Sequence, residues 1–148
     1  MSDATRLALT DELRDAIVGA FDAGNFATLG YISADGWPHL SLRGTAQVLD
    51  DHTLAVWARH PQEGLAVAVA EQPHVTLFLP VLTQGAIYTF YGTAHIATDP
   101  GVTNAVWDAS PEREQQQDPD RGGVAVIIDL VRVTGQGRRP EVNFVMER

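Results

Sequence analysis

The sequence predicts a mainly β protein, a small six-stranded antiparallel barrel with flanking helices, formed as one domain over residues 1–148. Three observations lead there. Six strand-like runs are joined by turn-rich connections, and only three helical stretches lie among them. The long run from Trp37 to Val48 alternates residue by residue, as a strand with two unlike faces does. Val124 to Ile128 is apolar at every position, so both of its faces need cover, from a helix outside the barrel or from a second subunit. A chain of 148 residues can bury such a core without covalent staples.

In chain order, Thr10 is a candidate N-cap, and Asp11 and Glu12 suit the positive start of a helix. Leu13, Ala16, Ile17, Ala20 and Phe21 then give the stripe of a helix lying on a core, which Asp22 to Asn25 ends. Phe26–Ile32 reads as the first strand, and Ser33–Gly36 as a hairpin turn with Asp-Gly chemistry. The long strand Trp37–Val48 follows, then a turn at Asp50–His52 and a strand at Leu54–Ala58. Pro61 opens a short helix that runs to Gln72, and Pro73 stops it. Val75–Leu79 and Ile87–Ala97 are strands linked by Leu82–Gly85, and Pro100–Ala109 is helical with Val102, Val106 and Trp107 as anchors. Ser110–Arg121, polar and glutamine-rich, is expected to be a mobile loop. Val124–Val133 is the sixth strand, and Glu141–Val145 a short terminal segment.

The long strand is the chemically informative one. Leu40, Leu42, Gly44, Ala46 and Val48 fall on one side, expected to be the buried one; His39, Ser41, Arg43, Thr45 and Gln47 fall on the other. A polar strand face does not require an arginine between hydroxyls and an amide. A guanidinium held on a rigid strand, with Arg59 expected nearby, suits a phosphate or the polar edge of a heterocycle. On the fifth strand, one of Tyr88 or Tyr91 is expected to face outward, where it could line a cleft.

Composition removes several chemistries. Cysteine is absent, which excludes disulfides, thiolate metal sites and thiol nucleophiles. All ten basic residues are arginine, so there is no lysine for a pyridoxal Schiff base or a Walker-type phosphate loop. The five histidines lack ligand spacing and no metal site is expected. Gly135-Gln-Gly137 opens no helix and is no dinucleotide fingerprint, and Ser41 lacks a nucleophile elbow. A formal charge of −9 argues against nucleic acid as a partner, though a local arginine pair can still hold a small anion. No run of 18 apolar residues occurs and the opening stretch is unlike a secretory leader, so no membrane association and a cytoplasmic location are expected.

The order of several segments resembles the flavin-binding split-barrel family related to pyridoxamine 5'-phosphate oxidase, over most of the chain. The resemblance rests on Ala27-Thr-Leu-Gly-Tyr-Ile-Ser-Ala-Asp-Gly-Trp-Pro-His39, on Leu54-Ala-Val-Trp-Ala-Arg59 with the helix after it and Pro73-His-Val-Thr-Leu77, and on Phe90-Tyr-Gly-Thr-Ala-His-Ile96. Arg121-Gly-Gly-Val-Ala-Val-Ile-Ile-Asp129 with Val131-Arg-Val-Thr-Gly135 is similar as well. It implies a split barrel that forms homodimers and holds FMN, or a related deazaflavin, in a cleft between subunits. The ring would lie against the strand containing Arg43, Gly44 and Thr45. The phosphate would meet the end of the next strand, Trp57, Ala58 and Arg59, and the expected helix start at Gln62, Glu63 and Gly64.

The implied activity is a flavin-dependent oxidoreductase acting on a small molecule, with no catalytic acid or base assigned. The alternative is a non-catalytic module for flavin, deazaflavin or haem. His60-Pro-Gln-Glu-Gly64 departs from the family pattern, since it adds no cation beyond Arg59 and introduces Glu63. The C-terminal arginine and tryptophan signature of the true pyridoxine phosphate oxidases is also absent, so vitamin synthesis is not expected. A deazaflavin's long anionic tail would meet an acidic chain without lysine, which makes FMN the expected cofactor.

Overall fold

The computed structural model describes residues 3–148. Nine strands form one open mixed sheet, not the expected six: β1 (Thr5–Arg6), β2 (Ala27–Ile32), β3 (Pro38–Arg43), β4 (Gln47–Asp50), β5 (Thr53–Ala58), β6 (His74–Val81), β7 (Ala86–Ile96), β8 (Val124–Gly137) and β9 (Phe144–Glu147). Helices are few: α1 (Asp11–Val18), α2 (Ala20–Ala23), α3 (Leu65–Glu71), α4 (Pro100–Ala109) and α5 (Glu112–Gln115). The count rises because the long third strand breaks in two and because both ends of the chain add short strands. Among the described residues, β1 and β9 make the one parallel pairing and every other ladder is antiparallel.

The sheet runs β1-β9-β8-β7-β6-β2-β3, with β5 branching from β8 and β4 pairing with β5. β8 is long enough to serve two neighbours along one edge. Val124–Asp129 pairs with β5 and Arg132–Gly135 with β9, while β7 runs along the other edge. The register shifts where Tyr91 faces Arg132 and Gly92 faces Leu130, leaving Val131 as the extra residue of a bulge. Gly92 permits it: a Cβ there would stand 2.6 Å from the Asp129 carbonyl oxygen.

The first helix begins as expected, with the Leu13 N–H donating to Thr10 Oγ1 at 3.3 Å. It is not continuous to Phe21. Gly19, a weak helix former, caps α1, and α2 ends at Gly24 in the left-handed conformation with φ 75°. Leu13 and Ile17 enter the main core with Leu29, Val56, Leu77, Phe90, Val126 and Ile128. A second cluster of Ala55, Trp57, Ala125, Ile127 and Val106 lies on the opposite face of β5 and β8, under α4. The helix α4 supplies one of the two covers expected for the apolar strand.

The Trp37–Val48 run carries the largest correction. It splits at Gly44–Ala46, and its leucines do not face the core: Leu40 is 71% and Leu42 67% exposed, while Ser41 and Arg43 are half-buried. Alternation separates two faces but does not say which is inside. Here β3 is an edge strand, and Arg43, Ser41 and His39 share register with Ala27, Leu29 and Tyr31, all buried residues of β2. Pro61 does not begin the next helix either. Pro61–Gly64 is a turn, and α3 starts at Leu65 after Gly64, whose φ of 60° suits glycine.

Gly92→Ala should destabilise the protein by about 1–3 kcal/mol, the cost of overpacking a closed contact. Urea unfolding measures this, and a midpoint equal to that of the parent would show that β7 and β8 can part there at no cost.

Candidate functional site

Two arginines are placed by the ends of two strands. Arg43 is the last residue of β3, and Arg59 follows the last residue of β5. The turn between β3 and β4 is tied to β5 by Thr45, whose buried hydroxyl accepts the Trp57 N–H at 2.8 Å. Gln47, also buried, donates from Nε2 to the carbonyls of Thr45 and Val106, both at 3.1 Å. The two strand ends therefore sit side by side, and their arginines line one cavity of about 470 Å³.

Tyr31, His39, Ser41, Arg43, Arg59 and Gly64 are among its walls, with Glu63 and His60 at its rim. The Arg43 Nε–H donates to Ser41 Oγ at 3.1 Å, and among the described residues neither Arg43 nor Arg59 forms an ion pair. Arg59 reaches only the Gln117 amide oxygen, at 3.4 Å. Burial pulls the Arg43 guanidinium below its ordinary pKa; Tyr31 opposes this, Arg59 adds to it and Glu114 opposes it. Two cations within each other's field, one of them half desolvated and neither paired, make a place where an anion is favourable. Glu63 works against that, but its carboxylate lies 4.0 Å from His60 Nδ1 and is largely exposed to solvent.

Of the residues expected at a cofactor site, Arg43, Ala58, Arg59, Glu63 and Gly64 meet in this cavity. Gly44, Thr45, Trp57 and Gln62 are not among its lining residues. Gly44 lies beneath the side chains of Glu114 and Phe21, which would have to shift to admit a Cβ there. Thr45 is spent on the backbone of β5. Trp57 faces the other way, edge-on to Trp107 with ring centroids 5.1 Å apart, and its Nε1–H donates to Asp118 at 2.9 Å. Strand alternation accounts for Trp57: Val56 and Ala58 belong to the main core, so Trp57 points to the outer one. Tyr88 is buried, and Tyr91 is half-buried under Arg132, whose guanidinium carbon stands 4.2 Å from the ring centroid; neither lines this cavity.

Tyr31 was not among the expected site residues. Its signal was its register: it follows Ala27 and Leu29 on the inward face of β2, where a tyrosine brings a hydroxyl into an apolar row. Among the described residues no group of three or more His, Asp or Glu side chains could hold a metal ion, and no helix is long and apolar enough to cross a membrane. A larger hollow of about 820 Å³ lies between α1 and the Leu82–Gln84 turn. Glu12 and Asp15 line it against the single cation Arg139, which makes it the poorer anion site.

The segment 110–121, expected to be mobile, is anchored. It contains α5, and the Asp118 carboxylate accepts from the Gly122 N–H at 2.9 Å and the Gly123 N–H at 2.8 Å besides the Trp57 indole. Burial raises the Asp118 pKa, but these hydrogen bonds outweigh it and leave the carboxyl below the usual aspartate value. A folded-state value below the unfolded one adds stability above the unfolded pKa, and that stability is lost as pH falls through the folded value. Asp118→Asn should therefore cost about 1–3 kcal/mol near neutrality, and the gap to the parent should narrow below about pH 4. Thermal unfolding across pH measures it; a gap that does not change with pH would exclude the charge.

Sequence comparison finds no protein-family model and no curated protein that matches the chain. Solved structures do match it. HupZ of Group A Streptococcus is 19% identical with a TM-score of 0.66, over 91% of this chain and 98% of the other. General Stress Protein 26 of Bacillus anthracis is 16% identical with a TM-score of 0.66, over 93% and 99%. A pyridoxamine 5'-phosphate oxidase of Lactobacillus delbrueckii, so named provisionally, is 18% identical with a TM-score of 0.62, over 90% and 98%. With these neighbours along nearly its whole length, the chain has the fold of the pyridoxamine 5'-phosphate oxidase-like proteins.

Proposed function

We propose that this protein binds FMN and is a flavin-dependent oxidoreductase acting on a small molecule. The observation that carries the reading is the pair Arg43 and Arg59, unpaired and facing one cavity at the ends of β3 and β5. Its volume of about 470 Å³ lies within the roughly 300–1,000 Å³ usual for small-molecule sites. Arg59, with the backbone of the His60–Gly64 turn, holds the phosphate; Arg43 sets a cation at the polar edge of the ring. FMN supplies transfer of electron pairs, and the protein contributes position and local charge. The absence of lysine and the net charge of −9 disfavour a deazaflavin with a long anionic tail.

We further propose that the protein works as a homodimer. Trp37, Leu40 and Leu42 are exposed on and beside the edge strand β3, and Phe78 is exposed on β6 across β2. In register, Leu42 faces Thr28 and Thr28 faces Phe78, so Leu42, Phe78 and, by alternation, Leu40 share one outer sheet face, which neither of the hydrophobic clusters covers. A second copy suits that face, because Leu42 also lines the cavity and a partner there would close its open side.

Titration of the ligand-free protein with FMN, followed by flavin fluorescence, tests the site. Arg59→Ala should weaken binding by about 1.5–3 kcal/mol, the scale of a charge-assisted hydrogen bond. No uptake of FMN by the parent would end the flavin reading. Colour that NAD(P)H fails to bleach, with no other donor reducing it, would favour the binding module over the enzyme. Leu40→Asp should convert the dimer to monomers in light scattering; a parent that is already monomeric would reject the shared-face proposal.

A further inference from the structure

Tyr31 is the one nearly buried residue of the cavity that carries a free polar group. It is 6% exposed, yet its hydroxyl has no hydrogen-bond partner among the described residues. No side-chain oxygen or nitrogen among them is both sealed from the surface and unpaired, so the Tyr31 oxygen, which is unpaired, opens onto the cavity. The ring reaches from β2 across to the turn before α3, where a Cβ on Gly64 would stand 3.6 Å from that oxygen. His39, its register partner on β3, lies against the ring with centroids 4.9 Å apart.

The position of Tyr31 relative to the arginines gives the hydroxyl a purpose. Tyr31, Leu29 and Ala27 alternate along β2 opposite His39, Ser41 and Arg43, so Tyr31 and Arg43 stand on the same wall, one register step either side of Ser41. Ser41 already accepts from Arg43 Nε, which leaves the other guanidinium nitrogens of Arg43 without protein acceptors. The wall therefore offers O–H and N–H donors aligned along one strand pair. Arg59 belongs to the other side, beyond the end of β5.

We infer that the Tyr31 hydroxyl is a ligand-binding donor that acts with Arg43 on a carbonyl oxygen at the polar edge of a bound planar ring, separately from the phosphate end held by Arg59. The inference rests on the flavin reading above. The ring of Tyr31 is packed away while its oxygen faces the cavity without a protein partner, so an acceptor on a ligand can take the place of water there. A phenylalanine would fill the same space but offer no donor to the cavity.

Two probes separate the ends of the site: FMN, and riboflavin, which carries the ring without the phosphate. Tyr31→Phe should weaken both by the same factor, about five- to tenfold, with a ligand-free melting temperature equal to or above that of the parent. Arg59→Ala should weaken FMN and leave riboflavin nearly unchanged. If the parent binds both flavins and Tyr31→Phe binds them equally well, the Tyr31 assignment fails while the flavin reading stands. A loss confined to FMN would move Tyr31 to the phosphate end and overturn the inference, as would a fall in ligand-free melting temperature in step with affinity. If the parent binds neither flavin, both proposals fall.

Discussion

The hydrogen bond from the Trp57 N–H to Thr45 Oγ1 holds together the part of this molecule that matters most. β3 and β5 do not pair with each other, and this bond ties the turn that ends β3 directly to β5. With it, the turn at Gly44–Ala46 is fastened near the end of a buried strand, two residues before Arg59. The bond lies in a region that excludes water, where a lost partner leaves an N–H unsatisfied. Thr45 thus serves the site from a distance, by fixing where Arg43 ends its strand relative to where Arg59 begins its turn.

The same constraint explains why two like charges persist close together in an acidic protein. On a flexible surface the arginines would turn toward carboxylates, which are plentiful at this net charge. Each is instead held by the strand it terminates. Arg43 is turned inward by the register of β2 and β3, and Arg59 leans on Gln117 in a segment that Asp118 anchors to Trp57. Local geometry overrides the average field of the chain, which is how a repelling surface can carry a small attracting pocket.

Much of the architecture could be read from residue patterns. Four of the six expected strands lie within two residues of their expected ends, α4 spans Pro100–Ala109 as expected, and Thr10 caps α1. These are local matters: turn chemistry, caps and period-two alternation act over a few residues. Errors arose where pairing partners decide. Trp37–Val48 reads as one strand by alternation, yet its two halves pair with different neighbours, β2 and β5. The polar stretch after α4 reads as mobile, yet Asp118 joins two nearby donors, the Gly122 and Gly123 N–H groups, to the distant Trp57 indole.

What the sequence determined by itself was the inventory: a β-rich chain with turns in their places, no thiol or lysine chemistry, and Arg43 and Arg59 as the cations with a reason to act together. Tertiary structure decided the sense of each face. It turned the leucines of β3 outward and its arginine inward, sent Trp57 away from the cavity and brought Tyr31 into it. The physical reason is that periodicity divides a strand into two sides, whereas the choice between core and cavity depends on which distant elements come to lie against each side.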